Sequence, residues 1–147
     1  MKKILVAVMI NLLLAGVAFP GGTADEAKAL VSKGAAYIKE NGKEKAFLEF
    51  TNSKGKFVDR DLYLFAVDFR GMTLAHGGSE KLVGKDMSGL KDADGKFFIK
   101  ELIELAKSKG GGWVDYKWVN PVTKKIEAKS TYVQKVDDYF LGCGIYK

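Results

Sequence analysis

The side chains able to do chemistry in this sequence are few, and their kinds favour recognition over reaction. There is one histidine, His76, and one cysteine, Cys143. Neither stands in a cluster with the spacings that zinc sites use. Gly110-Gly111-Gly112 follows a helical stretch instead of opening one, so it is not a phosphate-binding loop. A catalytic site needs a nucleophile, a base and a stabiliser within mutual reach. Here only His76 offers a base, and no acid or nucleophile is nominated beside it. The sequence therefore predicts no enzyme, no metal and no cofactor; a small exported enzyme with His76 as base is the weakest alternative. What the chain does carry is a set of amphipathic residues on strand-like segments: Tyr63, His76, Trp113, Tyr116, Trp118, Lys129, Tyr132 and Tyr146. Tyrosine and tryptophan join an apolar body to one polar handle. Small-molecule pockets are lined in this way, with a few placed polar groups.

Strand parity sorts these candidates. Tyr116 and Trp118 share a face and make a pocket pair, whereas Trp113 has the opposite parity to Trp118, so that one of the two belongs to a core. Lys129 lies in mid-strand with Thr131 and Val133 on its face, where an ammonium either faces solvent or pairs with a buried anion. Tyr132 points away from Lys129 in a regular strand, and the two line one pocket only if a bulge intervenes. His76, at a strand end before Gly77, is a structural hydrogen-bonder or a pocket residue. Cys143, between Leu141 and Ile145 at strand spacing, reads as a small buried hydrophobe. Being the only cysteine, it forms no intramolecular disulfide.

The elements that must position these residues follow from period and punctuation. Ala27, Leu30, Val31, Gly34, Ala35 and Ile38 form one apolar stripe, predicting a helix over Asp25 to Asn41 that stops at Gly42. Lys43 to Phe50 reads as a second, short helix with Ala46, Phe47 and Phe50 on one side. Leu62 to Val67 is a continuous apolar run of strand length. A turn at 68–71 and a strand at 72–76 complete a hairpin with it. Residues 77–95 form a long loop, a length that is uncommon in small domains and often functional. A helix over Lys96 to Lys109 follows, with Asp94 as its expected N-cap. Strands at 113–118, 125–136 and 139–146 end the chain. Hairpin-joined strands with helices packed on them predict an α+β domain with an antiparallel sheet.

The first 24 residues belong to a different category. Met1-Lys2-Lys3 is a positive start, Ile4 to Phe19 is apolar apart from Asn11, and small residues follow. This is the pattern of a secretory signal peptide, with cleavage expected after Ala24 or, alternatively, after Ala18. The apolar run is shorter than the about 20 residues a spanning helix wants. Thr23 and Glu26 have capping-box spacing, which favours the earlier site if the cap exists in the mature protein. The expectation is residues 1–24 as a cleaved leader and 25–147 as one domain, periplasmic or secreted, without stable membrane insertion. Removing the leader lowers the formal charge from +6 to +4. The remaining basic residues are almost all lysines interleaved with acids, a solvated surface and not a nucleic-acid patch.

In order along the chain, several stretches resemble the single Cache domain of the second type, an extracytoplasmic sensor unit of chemoreceptors and histidine kinases. They are Asp61 to Gly71, Leu74-Ala75-His76-Gly77, Leu82-Val83-Gly84-Lys85, Asp92-Ala93-Asp94-Gly95, Gly112 to Pro121, Lys129-Ser130-Thr131-Tyr132 and Leu141 to Lys147. The resemblance implies a PAS-like five-stranded antiparallel sheet with a long N-terminal helix. It also implies a loop-helix insertion, about residues 77–112, covering a pocket. It implies a small organic acid as ligand and places Tyr63, His76, Tyr116, Trp118, Lys129 and Tyr132 in the site. Arg60, whose planar fork suits a carboxylate, is a further candidate. A membrane receptor or histidine kinase is the implied partner, since the sequence after residue 24 holds no second membrane segment. The alternative is a structural or interaction module whose degenerate pocket is filled by its own aromatics.

Overall fold

The computed structural model describes residues 20–147. The expected leader, up to residue 19, lies outside the described residues. Helix α1 (Ala24–Asn41) is followed by α2 (Lys43–Thr51) and a two-stranded ribbon, β1 (Val58–Asp59) with β2 (Leu62–Tyr63). Strands β3 (Phe65–Asp68) and β4 (Thr73–His76) form the first hairpin. After a single 3-10 turn at Glu80–Leu82 comes α3 (Phe98–Lys109), then β5 (Gly111–Val119), β6 (Ile126–Val136) and β7 (Tyr139–Tyr146). The main sheet has the order β4-β3-β7-β6-β5, antiparallel throughout. The last strand therefore sits in the centre, between the two hairpins.

Burial on both faces explains why Leu62 to Val67 reads as unbroken apolar sequence. Leu62, Leu64 and Ala66 join Ala27, Val31, Phe50, Leu141 and Cys143 in a core under α1 and α2. Tyr63, Phe65 and Val67 join Phe98, Ile99, Leu102, Tyr116 and Phe140 in a second core under α3. A sheet covered on both sides loses its polar alternation. The run is nevertheless two strands and not one. Leu62 and Tyr63 pair back onto Val58–Asp59, and the chain re-registers at Leu64, whose amide donates to the Phe57 carbonyl at 3.2 Å.

The Thr23–Glu26 capping box is present: each side chain accepts from the other residue's backbone N–H, at 3.2 and 2.8 Å. The residues before the helix are also tied down. Gly22 N–H donates to Asp61 Oδ1 at 2.7 Å, and Arg60 donates to the Pro20 and Gly21 carbonyls. Cleavage after Ala24 would remove the cap and the Asp61 bond, whereas cleavage after Ala18 keeps both. Thr23→Ala is expected to cost about 1 kcal/mol in a denaturant titration.

The insertion departs from expectation at its helix start. The helix begins at Phe98, two residues late, and Asp94 does not cap it, since no side chain does. Asp92 organises this stretch. Its Oδ1 accepts from the amides of Asp94 and Lys96 at 3.0 and 2.9 Å, and its Oδ2 from Lys117 at 2.9 Å. Burial raises the Asp92 carboxyl, but the Lys117, Lys96 and Asp94 amides outweigh it and hold the group below the usual carboxylate range. Asp92 thus fastens the loop to β5. Asp92→Ala leaves three amides without their acceptor and is expected to lower the melting temperature by several degrees. At the other edge, Thr73 donates to the Lys85 carbonyl and accepts from Gly84, both at 2.9 Å, so the loop also covers β4. Helix α3 ends at Gly110, whose φ of 75° is the left-handed cap that glycine adopts without penalty.

Candidate functional site

Lys129 is the centre of the sheet face beneath the insertion. In the ladder it stands opposite Tyr116 of β5 and Tyr146 of β7, so its side chain rises between two tyrosines. Gly144 lies diagonally across on β7. A Cβ there would collide with the Lys129 stem and come within 2.5 Å of Thr131 Oγ1. Gly142 similarly makes room for the Phe65 ring. The two glycines are the floor over which the lysine and the phenylalanine lie.

The lysine is 2% exposed. Its Nζ lies 4.4 Å from the ring centre of Tyr63, 5.1 Å from Tyr146, 5.5 Å from Phe65 and 5.8 Å from Tyr116. Among the described residues it makes one hydrogen bond, to Tyr63 Oη at 2.7 Å. Among the described residues no carboxylate forms an ion pair with it. Aromatic faces offset part of the cost of an enclosed ammonium, but not the loss of water. Burial pushes Lys129 down to about 7.

The surrounding hydroxyls form two small networks. Tyr63 Oη meets Tyr146 Oη at 3.3 Å, and Tyr146 donates to the Val119 carbonyl at 2.8 Å. Tyr116 Oη is 2.9 Å from Thr131 Oγ1, and its ring stacks on Phe98 of α3 at 4.5 Å. Burial raises Tyr63, Tyr116 and Tyr146 above the usual phenol range, so all three remain neutral hydrogen-bonding groups.

His76 packs beside Tyr63, with ring centres 5.0 Å apart. Its Nδ1 accepts the Ser79 amide at 2.9 Å, which leaves the ring proton on Nε2. Burial and the nearby Lys129 charge push it down to about 3. Because the folded value lies below the ordinary 6.5, the unfolded chain binds the proton first, and stability falls as pH drops from about 6.5 to 3. His76→Asn, whose Oδ1 can take the Ser79 amide, should flatten that part of the acid limb in thermal melts from pH 7 to 4.

Tyr63, His76 and Trp118 line a cavity of about 310 Å³ together with Gly78, Ser79, Leu82, Val119, Pro121 and Lys124. A second opening of about 260 Å³ reaches Tyr116 and Lys129 from the β5 edge. Five of the seven candidate residues, Tyr63, His76, Tyr116, Trp118 and Lys129, are thus brought together. Tyr132 is not among them. No bulge interrupts its strand, and its ring lies on the α1 side against Trp113 at 5.5 Å. Arg60 is also elsewhere. It is paired with Glu26 and Asp59 at 2.8 and 3.1 Å and lies beside a separate cavity with Asp61 and Glu127. Phe65, Thr131 and Tyr146 belong to the cage but were not among the seven; the parity of Thr131 with Lys129 was the available signal.

The model of the Single Cache domain 2 family matches residues 5–147. The chain belongs to this family. Among curated relatives of this Cache domain, the methyl-accepting chemotaxis protein McpP of Pseudomonas putida is 31% identical over 90 residues, covering 60% of this chain and 16% of the relative. The sensor histidine kinase MctS of Rhizobium johnstonii is 36% identical over 89 residues, covering 59% of this chain and 19% of the relative. The Cache chain therefore spans less than a fifth of either relative's length over the matched region. Among solved structures, a methyl-accepting chemotaxis protein from Vibrio parahaemolyticus superposes with a TM-score of 0.72 at 27% identity. The match covers 83% of this chain and 86% of that one. A Cache chemosensory domain described for carboxylic acid recognition gives 0.66 at 28% identity, covering 81% and 84%. Among the described residues of the Cache chain, no helix is long and apolar enough to cross a membrane.

Proposed function

We propose that this Cache domain binds a short-chain organic acid against Lys129, as the receiving half of a chemosensory system and not as a catalyst. The observation that carries the reading is a buried amine enclosed by four aromatic rings, with no carboxylate among the described residues paired to it, beside a cavity lined by Tyr63, His76 and Trp118. A ligand carboxylate supplies the missing counter-charge. His76 Nε2–H and the Tyr63 hydroxyl orient it, and Trp118 forms an apolar wall. The cavity is at the small end for ligand sites, which suits a short acid. The likeness to a domain described for carboxylic acid recognition supports the same class of ligand.

The protein is exported and cleaved after Ala18, leaving the capping box intact, and it works in the periplasm or outside the cell. It reports to a membrane receptor or histidine kinase. Isothermal titration of a series of short monocarboxylates and their amides tests the binding claim. Binding of acids and not amides, unchanged in Arg60→Ala, is the expected result. Equal binding of acid and amide, or no binding of either, overturns it.

A further inference from the structure

We propose that Lys129 captures carbonyl-bearing acids covalently, as a reversible imine. This rests on the binding reading above and adds a bond to it. Tyr146 donates to the Val119 carbonyl, which can only accept. Its single proton being used, the contact between Tyr146 and Tyr63 takes the Tyr63 proton. Tyr63 Oη is then the acceptor for Lys129 Nζ, at 2.7 Å. The lysine lone pair is engaged by no donor in this chain of bonds, so the nitrogen is held by one N–H with its nucleophilic pair free.

Three further features fit a Schiff-base lysine. The stem is fixed, since it lies tight against Gly144 and the residue is buried. The amine is enclosed by aromatic walls without a paired carboxylate, the environment that favours the neutral, nucleophilic form. And a polar hydrogen stands apart from it, on His76 Nε2, so a carboxylate can be held there while the adjacent carbonyl meets Nζ. The ligand class is accordingly a 2-oxo acid or an acid aldehyde.

The step balances without any other reagent. The Nζ lone pair forms a C–N bond to the carbonyl carbon as the C=O π pair moves to oxygen. A proton passes from nitrogen to that oxygen, giving a carbinolamine. Loss of water forms the C=N bond, and return of water releases the ligand. Nothing is oxidised or reduced, so this is stoichiometric capture and not turnover.

Borohydride trapping tests it on the intact domain. The protein is mixed with glyoxylate or pyruvate, reduced with cyanoborohydride near neutral pH and mapped by peptide mass spectrometry. The expected result is an adduct on the Lys129 peptide, heavier by the mass of the acid less one oxygen. It should exceed any other lysine by at least about tenfold, because an ordinary ammonium is almost wholly protonated there. Excess of a short carboxylate without a carbonyl should suppress it, and Lys129→Arg should remove it. Labelling spread evenly over surface lysines overturns the proposal. So does an unlabelled Lys129 in protein that titration shows to bind the same oxo acid, an outcome that leaves the binding reading standing. If titration detects neither oxo acids nor plain carboxylates, both fall.

Discussion

Replacing Lys129 by methionine is expected to abolish acid binding and to raise the melting temperature of the empty protein. The two effects have one origin. An amine removed from water, with one hydrogen bond and no paired carboxylate among the described residues, is a cost carried by the folded state. Replacing buried charged groups by apolar ones of similar volume is often stabilising by about 1–4 kcal/mol. Methionine follows the same path over Gly144, and its sulfur packs well against Tyr63, Phe65, Tyr116 and Tyr146. A gain of about 2 kcal/mol, or several degrees, is expected in a thermal melt at pH 7. Loss of the charge partner should weaken acid binding by about 3 kcal/mol, more than a hundredfold, in titration calorimetry. A variant that melts lower and binds as before would refute the assignment of Lys129 as the anion site.

Acid binding should also take up a proton, and weaken, above neutral pH. Burial holds Lys129 down at about 7, and a bound carboxylate would raise it by supplying a counter-charge. Below about 7 the ammonium is already formed and affinity is flat with respect to this group. Above it the empty site is neutral and must be protonated on binding, so affinity falls about tenfold per pH unit until the complex itself titrates. Calorimetry at pH 8 in buffers of different ionisation enthalpy should report uptake of close to one proton, against nearly none at pH 6. The empty protein carries the matching signature. Its Lys129 is lowered from 10.5, so the unfolded chain binds the proton more tightly, and stability rises as pH climbs from about 7 toward 10.5. Lys129→Met should lack both responses.

Much of this arrangement was readable in the sequence because it depends on period. Alternation along β6 assigns Lys129, Thr131 and Val133 to one face and Tyr132 to the other, and with no bulge the two are separated in space. The apolar stripe of α1 and the breaks at Gly42 and Gly110 follow equally from local spacing. Register between distant strands does not. That Lys129 stands opposite both Tyr116 and Tyr146 depends on how three strands align, which no single segment encodes. Partnering was also hidden. Arg60 has the right chemistry for a carboxylate, but Glu26, far away in sequence, already occupies it. The insertion misled for a related reason: Asp94 has the composition and spacing of a cap, while Asp92 is the one whose two oxygens reach backbone amides on both sides of the loop.

The short ribbon between α2 and the sheet has a mechanical consequence. Asp61 grips the amide of Gly22 at the threshold of α1, and Tyr63, one residue beyond Leu62, touches the pocket amine with its hydroxyl. Leu62 between them is pinned in the core on the α1 side, so one buried residue separates the helix tether from the contact to the amine. On the binding reading proposed above, a ligand that drew the Tyr63 phenol aside would act next to the bond that moors the first turn of the long helix. From pocket to helix tether the distance along the chain is a single residue.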